Sequence, residues 1–330
     1  MTRTFAAKEA ARAEEPLSIG MVGPPGGGKT LSSLRVAKGI QSVRAGDIYL
    51  IDTEGGRSRK YADQIPFKCV EFDPPCRSED FLAAIQQQLQ YKPAAIIVDS
   101  MSDEHEGQGG YLEWHDEMIP KMGNNEWAAW ARPKASRKKL ITGLLHIKTP
   151  LIFTFRAREK TKQQDKPGSS KKEIINIGWQ PVAPLEIVHA LDLTCILPPR
   201  ADGVPVWKSD KIGEDFIIKL PNYLAPFIEQ GQPLCEEMGA AFARWAQGSA
   251  APGPAPEHLQ TGAADDIPTA ADYWLQWEAR IRDATRADQL GPVWNADKQL
   301  HKQIAWTASH RYEDLKSKVL KAVESMRTPA

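Results

Sequence analysis

At 330 residues, 42% hydrophobic and 25% charged, the chain is long enough for one large domain and one small one, each with its own core. Its net charge is zero, which excludes a global field for nucleic acid and leaves any such contact to local basic clusters. No apolar run approaches bilayer-spanning length, and the charged start MTRTFAAKEAARAEEP lacks a signal-peptide core, so the expectation is a cytoplasmic protein without membrane contact.

The first strand signal is "LSIGMVG" (17–23), an apolar run that enters a glycine loop. That loop, "GPPGGGKT", satisfies GxxxxGK[ST] between a strand and a helix, and with Leu31 it supplies the candidate ATP-binding set Gly23, Pro24, Pro25, Gly26, Gly27, Gly28, Lys29 and Thr30. Glycines let main-chain N–H groups turn inward around a β-phosphate. Lys29 can neutralise β/γ oxygens, and the Thr30 hydroxyl can bind Mg2+. A chance glycine-rich turn is the bland alternative.

"TLSSLRVAKGI" reads as a helix, and "DIYLID" and "FKCVEF" as strands. In "SEDFLAAIQQQLQ", Phe81, Ile85 and Leu89 fall on one helix face, Ser78 can cap, and Glu79 and Asp80 suit the first turn. "AAIIVD" (94–99) is a continuous apolar run, as a central parallel strand should be. Asp99 at its end is the second metal candidate, or else an aspartate that starts a turn. A further helix ends near His146, "PLIFTF" is the next strand, and "ALDLTCIL" and "VPVWKS" read as a late antiparallel pair. The alternation predicts an α/β fold with a mainly parallel central sheet flanked by helices. Four scattered cysteines (Cys69, Cys76, Cys195, Cys235) read as reduced, mostly buried thiols.

The Ala-, Pro- and Gly-rich stretch 248–266 is a linker by composition. It separates a core, 17–247, from a small all-helical module, 267–330, whose Tyr273, Trp274, Trp277 and Ile281 sit at helical spacing; residues 1–16 form an N-terminal arm.

Glu54 in "LIDTEGG" ends a strand expected to lie beside the phosphate-loop strand, where a carboxylate could orient attacking water. Its rivals are Asp103, Glu104 and Glu106 in "SDEHEG". "RAREKTKQQDKPGSSKK" (156–172) carries Arg158, Lys160, Lys162, Lys166, Lys171 and Lys172 on what reads as a flexible loop, suited to phosphates or simply solvated. "ARPKASRKKL" adds Arg137, Lys138 and Lys139, preceded by Trp127 and Trp130 on one helix face as core anchors or, less simply, as base-stacking platforms. His105 and His115 have no metal-ligand spacing and read as structural or solvent-facing.

"IDTEG", "DS" at Asp99–Ser100 and "YA" at Tyr61–Ala62 resemble the RecA-type recombinases. In order and content, residues 4–215 are similar to short phage-encoded RecA-like ATPases associated with single-strand annealing and recombination, most specifically in the phosphate loop, "IDTEGG" and "DSMSDEHEG". The resemblance implies a RecA-like core, Glu54 as the catalytic carboxylate and Tyr61 as the adenine stacker. It further implies single-stranded DNA as partner, a ring or filament of identical subunits, and a host bacterial cytoplasm. In AAA-type enzymes the base directly follows the magnesium aspartate; here that residue is Ser100, which cannot serve. RecA-type proteins place a γ-phosphate-sensing glutamine where this chain reads "TFRAR", so Thr154 or Arg156 would have to substitute. Lys208 and Lys211 are candidates for a cation inserted into a neighbour's site. The helical module could recruit single-strand DNA-binding protein. The rival functional class is a nucleotide-regulated motor or loader acting on a replication protein.

Overall fold

A computed structural model describes residues 15–165 and 172–248, with Ile281, Lys318, Val319 and Glu324 as single positions beyond them. The chain divides into two units, Met1–Gly253 and Pro254–Ala330. Most of the expected N-terminal arm, all of the linker but Gly248, nearly all of the helical module, and Lys166 and Lys171 lie outside the described residues.

In chain order, β1 (Ser18–Gly23) leads through the glycine loop to α1 (Lys29–Val43), followed by β2 (Ile48–Asp52), β3 (Lys68–Glu71), α2 (Ser78–Leu89) and β4 (Ala95–Asp99). Four helices come next: α3 (Asp103–Glu106), α4 (Tyr111–Lys121), α5 (Glu126–Ala129) and α6 (Ala131–Leu144). Then come β5 (Leu151–Asp165), β6 (Lys172–Pro181), α7 (Leu185–His189), β7 (Leu193–Ile196), α8 (Ile212–Asp215) and α9 (Glu236–Ala246).

Six strands form a parallel sheet in the order β3-β2-β4-β5-β1-β7, and β6 joins β5 in antiparallel fashion. β4 is buried throughout: Ala95 and Ile97 face the layer of α1 and α9, whereas Ile96 and Val98 face α2 and α6. That explains the unbroken apolar run, since neither face of the strand meets water. Phe81 and Ile85 of α2 are fully buried on the second layer, worth roughly 1.5–3 kcal/mol each. On the first layer α1 and α9 touch backbone to backbone. A Cβ on Gly39 would fall 1.9 Å from the Glu236 carbonyl oxygen, and one on Gly239 would fall 2.1 Å from that of Val36. This contact fixes the helix whose N-terminus carries the phosphate loop.

Three expectations need correction. β2 is not beside β1; β5 and β4 lie between them, so the strand tips are about 14 Å apart. Sequential strands often neighbour each other, but here the connection crosses three positions, and local sequence carries no trace of that choice. The late antiparallel pair shrinks to one antiparallel bridge, Ile196 with Val206, while β7 pairs along its length with β1 in parallel. Finally, the basic loop is not a loop up to Asp165. Beyond Arg156, β5 leaves the main sheet and pairs Ala157–Asp165 with Lys172–Pro181 as a two-stranded arm.

Smaller differences are local. Ser78 does not cap α2; its hydroxyl goes to Glu104 at 2.5 Å. Trp127 is 87% exposed and anchors no core, whereas Trp130 stacks on His115 with centroids 3.7 Å apart. Cys76 and Cys195 are buried, and burial pushes their thiols up to about 11 and about 12. Among the described residues no helix is long and apolar enough to cross a membrane.

Candidate functional site

Ligands of open parallel sheets sit beyond the carboxyl ends of the strands, and the motif residues gather there. A cleft of about 420 Å³ is lined by Pro25, Gly26, Gly28, Lys29, Thr30, Glu54, Arg57, Lys60, Tyr61, Asp99 and Arg156.

The loop owes its shape to its glycines. Gly26 (φ 79°) and Gly28 (φ 88°) are in the left-handed region, where a side chain would be strained. A Cβ on Gly23 would meet the Leu197 carbonyl oxygen at 2.2 Å, so the segment after β7 forms the floor of the loop. Gly27 lies against the same floor and donates its N–H to the Pro24 carbonyl, and Leu31 turns into the core of the α1 layer. The Lys29 ammonium folds back onto the carbonyls of Gly23 (2.9 Å) and Pro24 (3.0 Å). Burial lowers its pKa, against the pull of Asp99 and Glu54.

Asp99, on the tip of β4, is buried and accepts the Thr30 hydroxyl at 2.7 Å and, with its other oxygen, the Thr154 hydroxyl. Thr154 stands on β5, the strand between the loop strand and the Asp99 strand. Thr30 and Asp99 are the hydroxyl–carboxylate pair that a hard cation takes beside a triphosphate, and an open glycine cradle with an adjacent ammonium suits the phosphates. The residues present therefore fit Mg2+ and ATP.

The two acids of "LIDTEGG" have different tasks. Asp52 is buried, and its carboxylate accepts the N–H groups of Glu54 (2.8 Å), Gly56 (3.2 Å) and Ser58 (3.2 Å), together with the Ser58 hydroxyl. It folds the loop that presents its neighbour. Glu54 faces the cleft, with Arg57 3.9 Å away. Burial raises its pKa, and Asp99 adds to the effect, while Lys29, Arg57 and Arg156 oppose it.

The rival acids are all engaged elsewhere. Asp103 bonds Arg156 (2.6 Å) and the Thr53 hydroxyl (2.5 Å). Glu104 is fully buried, with a two-point contact to Arg137 at 3.0 and 2.8 Å. Glu106 pairs with Arg158 at 2.7 Å. Ser100 is buried, and its main-chain N–H donates to Thr53.

Of the other candidates, Tyr61 lines the cleft from a short 3-10 turn, Arg57–Tyr61, and packs on the core. Arg156 lines the cleft from β5, in register with Gly23 of β1. Lys160 and Lys162 are exposed on β5 and Lys172 on β6, and Arg158 is exposed but paired. Lys138 and Lys139 are exposed on α6. Arg137 is a correction: it is buried, with its guanidinium 3.1 Å from the Tyr111 ring centroid, and so cannot meet a phosphate. Lys208 is exposed, and Lys211 contacts Glu214 (3.4 Å) and Glu159 (3.9 Å); neither lines the cleft.

Sequence reasoning missed Arg57 and Lys60 in the cleft, although both follow directly on "TEGG". It also missed the Thr53–Asp103–Arg156 cluster, which joins residues about 50 positions apart along the chain.

No curated protein matches the chain. A model of the AAA domain family matches residues 15–199, a span that runs from β1 through β7 and exceeds half of the sequence. With its phosphate loop and parallel sheet, the chain belongs to the AAA domain family and carries a nucleotide-binding P-loop ATPase domain.

Proposed function

We propose that the chain hydrolyses ATP and couples the nucleotide state to single-stranded DNA, acting in annealing or recombination as a ring or filament of identical subunits. One observation carries this reading. β5 runs without a break from Thr154, bonded to Asp99, and Arg156 in the nucleotide cleft into an arm bearing Arg158, Lys160 and Lys162, with Lys172 on its partner strand. The same strand thus touches the nucleotide site and a basic row, Arg158, Lys160 and Lys162, extending about 13 Å. Lys and Arg in such a row engage phosphates at little cost in sequence preference. The likeness of "IDTEG" to RecA-type recombinases, and of "DSMSDEHEG" to short phage-encoded RecA-like ATPases, supports the same reading.

In this mechanism loop amides and Lys29 hold the phosphates, and Thr30 and Asp99 would hold Mg2+, which when bound supplies charge neutralisation at the transferred phosphoryl group. Glu54 accepts a hydrogen bond from the attacking water and takes its proton. Arg156 meets the γ-phosphate in place of the usual glutamine. Tyr61 takes the adenine side of the cleft. Asp52 keeps the Glu54 loop closed.

A loader acting on a protein partner is the second reading, favoured by the exposed apolar side chains of Ile212 (64%) and Phe216 (71%) at α8, which packs on β6. ATP hydrolysis measured with and without single-stranded DNA at two salt concentrations separates the two. Stimulation that fades steeply with salt is expected. A rate indifferent to DNA at both salts would sink the DNA reading and favour the loader. Replacing Lys160, Lys162 and Lys172 together by Ala should weaken DNA binding and leave nucleotide affinity unchanged.

A further inference from the structure

α2 and α6 pack on each other and on the sheet, and α4 lies against α6. A second cleft, of about 330 Å³, opens among these three helices with Trp114 and Met118 in its lining. Arg77, Lys121, Arg132 and Lys139 line it too, against the single carboxylate of Glu79. Lys121, Arg132 and Lys139 are exposed and make no ion pair among the described residues. Arg77 is held in place, its guanidinium 4.7 Å over the Trp114 ring and 3.4 Å from Glu117, yet its buried Nε finds no hydrogen-bond partner. Four cations against the one lining carboxylate of Glu79, on a chain of zero net charge, give the cavity a local positive potential that suits an anion.

The neighbouring helix α5, which packs on α4 and α6, carries an exposed aromatic residue. Ala129 of α5 packs with Trp114 and Met118, and two residues earlier on α5 Trp127 is 87% exposed. Trp127 does not line the cleft, but a free indole on a helix packed against one of the cleft's helices suits a neighbouring unstacked base of a strand whose phosphates enter the cleft. The cleft has no glycine cradle of main-chain amides, which argues against a second nucleotide. A duplex would leave Trp127 without a base face to cover.

We infer that the α2–α4–α6 cleft binds phosphates of single-stranded nucleic acid while Trp127 stacks on a base, giving the chain a second nucleic-acid surface separate from the β5–β6 arm. The inference takes its ligand from the DNA reading above and adds a site to it.

The test is anisotropy of a labelled oligo-dT titrated with the full chain across a salt series. R132E/K139E should weaken binding at least tenfold and flatten the slope of log affinity against log salt by about 1.4, at about 0.7 per lost single-strand phosphate contact. W127A should weaken binding about tenfold with the slope unchanged, as loss of stacking predicts. Both variants should keep the DNA-free ATPase rate and the wild-type melting curve. Should R132E/K139E melt early, R132A and K139A separately should each flatten the slope by about 0.7. Wild-type affinity and slope in the cleft variants and in W127A, with binding lost only in K160E/K162E, would overturn this site and leave the DNA reading intact. If the wild-type chain does not bind oligo-dT, both fall. If inorganic tripolyphosphate binds the wild type and not R132E/K139E, while oligo-dT binds both alike, the cleft is a small-anion site and the inference fails.

Discussion

The Arg156 guanidinium lies 2.6 Å from the Asp103 carboxylate, whose other oxygen takes the Thr53 hydroxyl at 2.5 Å. One acid on α3 thus ties β5, at the point where it leaves the main sheet, to the loop that follows β2, and Arg156 cannot hold both Asp103 and a γ-phosphate at full strength. A second pair, Arg158 with Glu106 at 2.7 Å, continues the link towards the arm. Arg156→Ala is expected to lower kcat by about 10²-fold, the usual effect of losing a donor to developing charge, with a smaller change in KM. Asp103→Asn should free Arg156 and raise the DNA-independent rate. A wild-type kcat in R156A would remove Arg156 from the chemistry.

Glu54 should lose its activity on the acid side earlier than an ordinary glutamate would. Burial, reinforced by Asp99, raises its pKa, and the protonated acid cannot take a proton from water. The rate therefore falls as pH drops through this raised value. Glu54→Gln should cost about 10²–10⁴-fold in kcat and retain nucleotide binding, and its residual rate should lack that acid limb. Stability should move in the opposite direction. A raised carboxyl pKa means the folded chain holds a proton that the unfolded chain releases, so stability falls as pH rises from the unfolded to the folded value and stays lowered above both. E54Q should thus melt higher than wild type at neutral pH, with the gap closing in acid. A lower melting temperature at neutral pH would contradict the assignment.

Asp52 acts on Glu54 only through the loop. Four hydrogen bonds converge on its carboxylate, and an amide in its place would present an N–H₂ to N–H donors. Asp52→Asn should lower kcat through misplacement of Glu54 while preserving the acid limb that E54Q lacks. Proton exchange at the Gly56 and Ser58 amides should accelerate. Unchanged exchange at both amides would dissociate Asp52 from the shape of the loop.

What was legible in the sequence was local. The phosphate loop carries its own geometry in its glycines, and β4 shows itself because burial on both faces leaves the four positions before Asp99 apolar. Strand order is non-local, so the separation of β2 from β1 left no mark. The arm was misread because Pro167, Gly168, Ser169 and Ser170 suggest a loop, although Pro–Gly between "KTKQ" and "IINI" is also a hairpin signal. Arg137 was hidden in a charge run, yet Pro133, Arg137, Leu140 and Leu144 follow the helical spacing of a buried stripe. Glu54 could be read from its place at a strand end, with likeness to RecA-type proteins in support, whereas Tyr61 came from that likeness alone; spacing gives no reason for an aromatic residue seven positions after the acid to face the same cleft.

That buried stripe leads to a stability prediction independent of catalysis. Glu104 is wholly inaccessible and contacts Arg137 at two points, while Ser78 adds its hydroxyl to the same carboxylate. His105 sits 3.2 Å from the same guanidinium, and its pKa is lowered by burial first and by Arg137 second. Removing the acid alone strands a buried cation. Glu104→Ala should therefore destabilise the domain by about 3–5 kcal/mol, seen as a lower denaturation midpoint with an unchanged dependence on denaturant. Replacing both partners, Glu104→Met with Arg137→Met, should recover most of that loss, because two apolar side chains of similar volume leave no charge to solvate. Should the double variant be no more stable than E104A, the loss would lie in packing around Ser78 and Tyr111, not in an abandoned guanidinium.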